Sequence, residues 1–146
     1  NSLLPSNRVQ FQLSEILVPL GNIRAATAEL RALLEREPDW PPAANNLAWI
    51  LAASPDPELR TGQDALRLAK VAAEACSYSR PYVVGTLAAA YAENGDFDQA
   101  LKYVNMAIGL APDEKVAARI RPAIELYEKG KPYRDRSLVQ RSTGGG

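Results

Sequence analysis

Apolar residues recur at a helical spacing in two short segments between Pro81 and Pro112, and a Gly95-Asp96 pair separates the segments. The repeating apolar positions are Leu87, Ala88 and Tyr91 in the first segment and Ala100, Val104 and Ala107 in the second. Two helices cross closely only where their side chains are small, so the alanines mark the predicted crossing points. Glycine can end a helix, and aspartate can cap the next one. The pattern predicts a helical hairpin.

Two earlier units carry the same pattern. In the unit 7–40, Gly21, Ala26 and Leu30 fall where Gly95, Ala100 and Val104 fall later. The middle unit, 41–80, is longer, and most of its extra length lies in the connection SPDPELRTGQ. A single hairpin cannot bury its apolar face, so the three units are expected to stack on one another.

This order of small, large and aromatic residues resembles a tetratricopeptide repeat, whose period is about 34 residues. The resemblance covers residues 7–114 and implies an all-α, right-handed solenoid that binds proteins. We expect one domain, 1–130, with repeats 7–40, 41–80 and 81–114 and a capping helix over 113–129. Pro122 should kink that helix, because proline lacks a backbone donor and clashes with the preceding turn. The sequence from Glu125 to Arg134 resembles the end of bacterial multi-repeat proteins of this kind.

Composition narrows the chemistry. The 17 Lys and Arg residues balance the 17 Asp and Glu residues, which argues against a nucleic-acid binder. The chain has no histidine and one cysteine, so Ser-His-Asp and Cys-His arrangements and multiple-thiolate zinc sites are excluded. No apolar run approaches the length needed to cross a bilayer. We therefore predict a non-enzymatic chain without metal or cofactor, whose partner is a protein or peptide. Its compartment is left open.

Groove-facing side chains should come from the first helix of each repeat, off its packing stripe. The candidates for partner binding are Asn45, Asn46, Trp49, Tyr82, Thr86 and Glu93. The asparagines could pair with a peptide backbone, and Trp49 and Tyr82 could anchor an apolar side chain. The alternative prediction for Trp49 is that its side chain packs between two repeats and seals their boundary. Asn46 resembles the asparagine of carboxylate-clamp domains, but the neighbouring groove positions lack the lysine and arginine of such a clamp.

The tail, 131–146, is basic and is expected to be a solvated, flexible terminus. The alternative is a short docking segment that uses Tyr133, Arg134 and Arg136. Two functions stay open on these grounds. One is a peptide-binding or protein-binding module that uses the groove. The other is a structural subunit that forms a homo- or hetero-oligomer through the solenoid ends and the tail, because the first repeat, 7–40, shows no polar capping helix before it.

Overall fold

The computed structural model describes residues 6–141, and over that range the chain forms eight helices and no strand. In chain order the helices are α1 (Asn7–Leu17), α2 (Ile23–Arg36), α3 (Pro41–Ala53), α4 (Gly62–Ala75), α5 (Pro81–Glu93), α6 (Phe97–Leu110), α7 (Glu114–Ile120) and α8 (Pro122–Glu128). The all-α architecture predicted from the sequence is confirmed.

The first six helices form three hairpins, α1–α2, α3–α4 and α5–α6, in which the two helices pack against each other. Each hairpin also packs on the next: α2 contacts α3, and α5 contacts both α3 and α4. The first helices of the hairpins thereby form an inner layer, with the second helices outside it. This arrangement is the expected helical-repeat solenoid.

Two glycines make equivalent turns in the first and third hairpins. Gly21 and Gly95 both have φ of +80°, a left-handed conformation that glycine adopts without steric cost. The Gly95 N–H donates to the Ala92 carbonyl, and the next N–H donates to the Tyr91 carbonyl. The Asp96 carboxylate then accepts from the Gln99 N–H at 3.2 Å and caps α6. Both the glycine turn and the aspartate cap were predicted from the sequence.

The core combines large aliphatic residues with alanines at the helix crossings. Leu30, Leu47 and Leu87 are almost completely buried, one in each hairpin. The alanines at the crossing points have no exposed surface, among them Ala26, Ala48, Ala65, Ala69, Ala88, Ala100 and Ala107. Close backbone approach at the alanines and space filling by the leucines account for the tight packing.

The terminal helix expected over 113–129 is two short helices rather than one kinked helix. Helix α7 ends before Arg121, and α8 starts with Pro122 at its first position, where the missing N–H costs nothing. Tyr127 of α8 is buried against the third hairpin, near the ring of Phe97. Its burial raises the pKa of the Tyr127 hydroxyl well above the ordinary value. The two helices cover the end of the core.

The tail departs from the expected solvated terminus over residues 131–141, which we name the strap. The strap has no regular secondary structure but runs back across the ends of the first helices to the turn at Gly21. Leu138 is buried, with 4% of its surface exposed, and belongs to a core cluster formed by the first two hairpins and by residues of α5. The expectation of a flexible tail is wrong for these residues, because backbone hydrogen bonds and an apolar anchor hold them. Residues 142–146 lie outside the described part of the chain.

No helix within residues 6–141 is long and apolar enough to cross a membrane.

Candidate partner-binding groove

A cavity of about 660 Å³ lies on the inner layer of the solenoid. The cavity is lined by the first helices of the three hairpins and by α7, α8 and part of the strap, with one residue each from α2 and α6. The side chains that line the cavity include Glu15, Asn45, Asn46, Trp49, Tyr82, Thr86, Arg119, Tyr133, Asp135 and Leu138. The lining is mainly apolar and aromatic, with a few polar groups, which is typical of ligand-binding pockets.

Trp49 lines this groove and also packs against the core of the hairpins. Its indole Nε1–H donates to Asp135 Oδ2 at 2.8 Å, and its ring lies 5.7 Å from the ring of Tyr133, centroid to centroid. The Asp135 carboxylate also accepts from the backbone N–H and the hydroxyl of Ser137. Trp49 therefore serves both as an aromatic surface of the cavity and as an attachment point for the strap.

The two asparagines line the cavity from α3. Both side chains are half-buried, and the Oδ1 atom of Asn45 is buried without a hydrogen-bond partner among the described residues. A buried acceptor without a donor costs about 1–3 kcal/mol. A ligand N–H placed in the cavity could supply the missing donor.

Tyr82 and Thr86 line the cavity from α5, one helical turn apart. Nearly half of the Tyr82 surface is exposed, so its ring is open to a ligand. Thr86 is buried, and its hydroxyl donates to the Tyr82 carbonyl at 2.9 Å. Between them, Gly85 has no neighbouring atom within 4 Å of the place a Cβ would take. The inner face of α5 is thus open at its centre.

Glu93, the sixth predicted groove residue, lies at the end of α5 and is not part of the cavity lining. Its carboxylate pairs with Arg60 at 3.4 Å and with Arg134 of the strap at 2.6 Å. Of the predicted docking residues in the tail, Tyr133 lines the cavity, whereas Arg134 binds Glu93 outside it. The side chain of Arg136 is exposed.

The strap also donates hydrogen bonds to carbonyl groups at the end of α3. The last four carbonyls of a helix have no partner within the helix. In α3 the Ile50 carbonyl accepts from the Ser54 N–H, and the Leu51 carbonyl accepts from the Thr61 N–H. The strap supplies the remaining two donors: the Asp135 N–H reaches the Ala53 carbonyl at 2.8 Å, and Arg134 Nη1 reaches the Ala52 carbonyl at 3.1 Å. Sequence reasoning missed this role because the acceptors are backbone atoms of a distant helix.

Phe11 of α1 does not line the cavity. Its ring packs edge-on against Trp40 with a centroid distance of 5.3 Å. Ser14 and Glu15 of α1, and Val18 just after it, line the cavity. The charged side chains of the lining are Glu15, Arg119 of α7 and Asp135 of the strap.

Comparison with known families matches residues 83–114 to the tetratricopeptide repeat. The matched segment corresponds to the third hairpin, whose turn and cap have the geometry described above. No curated protein gave a significant match to the chain. The chain contains a tetratricopeptide repeat within a helical-repeat solenoid, and that repeat indicates a role in protein–protein interaction.

Proposed function

We propose that the chain is a non-catalytic interaction module that binds an extended segment of a partner protein in the cavity between the inner helices and the strap. The observation that carries this proposal is the combination of an open aromatic surface with a buried, unpartnered acceptor. Tyr82 and Trp49 offer apolar contact area, and Asn45 Oδ1 lacks a donor. An extended backbone brings N–H donors and side chains at regular intervals, so it can satisfy both features together.

The lining narrows the kind of segment. The aromatic surfaces favour at least one large apolar side chain as an anchor, since such side chains dominate binding energy in pockets. Gly85 leaves room for the partner's backbone to approach α5 closely. The lining has three charged side chains, Glu15, Asp135 and Arg119, and Asp135 is already hydrogen-bonded to Trp49, so the partner segment need not be strongly charged.

Selection of peptides from a displayed library against the immobilised full chain tests the proposal. Selected peptides should carry a large apolar residue, and Tyr82→Ala should weaken them about tenfold or more, which corresponds to 1.4 kcal/mol. Met106→Ala is the matched control, because Met106 is an exposed side chain on α6 outside the cavity. If Tyr82→Ala and Met106→Ala bind the peptides equally well, the cavity is not the binding site.

A second function, assembly through the first end of the solenoid, is supported by one face of α1. Leu13 and Ile16 occupy the positions in α1 that Leu87 and Ala90 occupy in α5, counted back from the turn glycine of each hairpin. Leu87 and Ala90 are buried by the preceding hairpin, whereas Leu13 is 41% exposed and Ile16 is 56% exposed. We propose that another subunit covers this face in an assembly.

Light scattering over a concentration series on the full chain tests the assembly function. If the α1 face is an interface between copies, the mass should rise with concentration, and Ile16→Glu should return it to the monomer. Met106→Glu introduces the same charge on α6 and should leave the mass unchanged. A monomer at every concentration would remove self-assembly through this face.

A further inference from the structure

The strap contacts a surface that is distinct from the cavity wall formed by Tyr82 and Thr86. This surface follows the carboxyl-terminal ends of α3 and α5 and the turn after α1. Its hydrogen-bonding groups are the Ala52 and Ala53 carbonyls, the Glu93 carboxylate and the Gly21 carbonyl, which accepts from the Arg141 N–H at 2.7 Å. These four groups are acceptors, and the surface also gives the strap two donors, the Trp49 Nε1–H, which binds Asp135, and the Arg24 N–H, which binds Gln140.

The chemistry of the surface matches that of the strap. Helix carboxyl-terminal ends carry a partial negative charge, and Glu93 adds a full one. The strap is rich in arginine and presents Arg134 to the acceptors at the ends of α3 and α5. Tyr133 meets the Trp49 ring, and Leu138 fills an apolar site between the hairpins. The surface thus recognises an aromatic residue, an arginine, backbone donors and a leucine in one extended segment.

The carboxyl-terminal end of the strap, at Gln140 and Arg141, packs closely against the turn after α1. At Gly21, a Cβ atom would collide with the aliphatic part of the Arg141 side chain, so the close approach requires glycine there. The Arg24 N–H at the start of α2 donates to the Gln140 side chain at 2.9 Å. The strap is therefore held at both ends and at Leu138.

The Arg134–Glu93 pair is partly exposed, with 26% and 15% of the two side chains accessible. Gly130, with φ of +68°, joins α8 to the strap and has room around it. These features make release of residues 131–141 possible without unfolding the hairpins.

We propose that this surface is a binding site for extended basic segments with the pattern aromatic–Arg–Asp–x–x–Leu, and that the strap is its built-in occupant. An external segment of the same chemistry binds when the strap leaves. The inference extends the proposed function, because Trp49 belongs to both surfaces. The strap also lines the cavity through Tyr133, Asp135 and Leu138, but Glu93 contributes only to the strap-binding surface and Tyr82 only to the cavity.

A labelled synthetic peptide with the strap sequence, residues 131–141, tests the proposal by fluorescence anisotropy on the full chain. The strap is loosened in the double variant Tyr133→Ala, Leu138→Ala. That variant should bind the peptide at least about tenfold more tightly than the unaltered chain, in which the strap occupies the site. Equal affinity for the two proteins would overturn the proposal.

Glu93→Gln in the loosened background separates this site from the cavity. It should weaken the strap peptide about threefold to tenfold, the loss expected for one partly exposed ion pair, and reduce the salt dependence of binding. Tyr82→Ala should leave strap-peptide binding within twofold. If Tyr82→Ala abolishes binding and Glu93→Gln does not change it, the peptide binds the cavity and the proposal fails. Loss of library-peptide binding in Tyr82→Ala bears on the proposed function alone.

Amide hydrogen exchange on the unaltered chain gives a test that needs no folded variant. The Asp135 and Arg141 N–H groups should exchange more slowly than in the free peptide but at least about tenfold faster than the core amides of α3. Exchange as slow as that of the α3 core would mean that the strap leaves only on global unfolding. That result would overturn its role as a displaceable occupant.

Discussion

Gly85 offers a way to fill the cavity without harming the fold. It lies in the interior of α5, where glycine is less favourable than alanine by about 0.5–1 kcal/mol. No atom lies within 4 Å of the place its Cβ would take, so a Cβ added there meets open space. Gly85→Ala should therefore stabilise the chain by that amount and raise Tm by roughly 1–4 °C at this chain length. Gly85→Leu should be at least as stable as the unaltered chain, while its side chain occupies the cavity.

Urea and thermal denaturation followed by circular dichroism measure the stability of both variants, and titration with a library-selected peptide measures binding. Gly85→Leu should lose about tenfold or more in affinity, because its side chain takes the space of the ligand. The matched control is Gly109→Leu, a helical glycine on α6 that also has open space around it and lies outside the cavity. If Gly85→Leu is destabilised by more than about 1 kcal/mol, the space is not open. If it folds and binds normally, the cavity is not the binding site.

Three further predictions concern the fold and the thiol. Leu87→Ala should lower the free energy of unfolding in urea by about 2–5 kcal/mol. Leu20→Ala, at an exposed leucine, should change it by less than about 0.5 kcal/mol. Equal losses in the two variants would contradict the assignment of Leu87 to the core. Asp96→Ala should cost about 1 kcal/mol, the value of a helix cap, measured in the same way; no loss would mean that the cap is not formed in solution. Burial alone would raise the pKa of the Cys76 thiol, but hydrogen bonds from the backbone of residues 78–80 outweigh it and lower the pKa below the ordinary value. More thiolate is then present at a given pH, so alkylation of Cys76 should show its midpoint at a lower pH than in an unstructured peptide; a midpoint at or above the peptide's would refute the shift.

The sequence was most informative where local chemistry decides the structure. Gly95 and Asp96 predicted a turn and a cap because both act through their own backbone neighbourhood. The alanine and leucine spacing predicted the crossings because the helical period alone places those residues on one face. Pro122 correctly marked a break, although its consequence is a new helix rather than a kink.

The inner surface was harder to predict. Helix α3 is apolar on several faces, so its periodicity could not decide whether Trp49 faces the core or the groove. The position of Glu93 along α5 predicted a groove residue. In the structure its carboxylate instead pairs with Arg60, from a loop, and with Arg134, from the strap. Such pairings depend on tertiary geometry, which residue spacing within one helix does not contain.

The sequence suggested the strap only as an alternative, a short docking segment that uses Tyr133, Arg134 and Arg136, and it did not predict what the segment contacts. Residues 131–141 have no hydrophobic period, and their hydrogen-bond acceptors are the end carbonyls of a helix far away in sequence. One signal could have pointed to it. Leu138 is an aliphatic residue inside a polar tail, and a lone apolar residue in such a context is a candidate anchor.

The most direct test of the central claim, that the inner groove binds a partner segment, is nuclear magnetic resonance of the ¹⁵N-labelled full chain with a library-selected peptide. The two tryptophan indole N–H signals are separate reporters, because Trp49 faces the cavity and Trp40 packs against Phe11 away from it. The account predicts that the Trp49 indole and the backbone amides of Asn45 and Tyr82 shift on binding while the Trp40 indole does not. Shifts confined to the outer helices α2, α4 and α6, with an unchanged Trp49 signal, would contradict it.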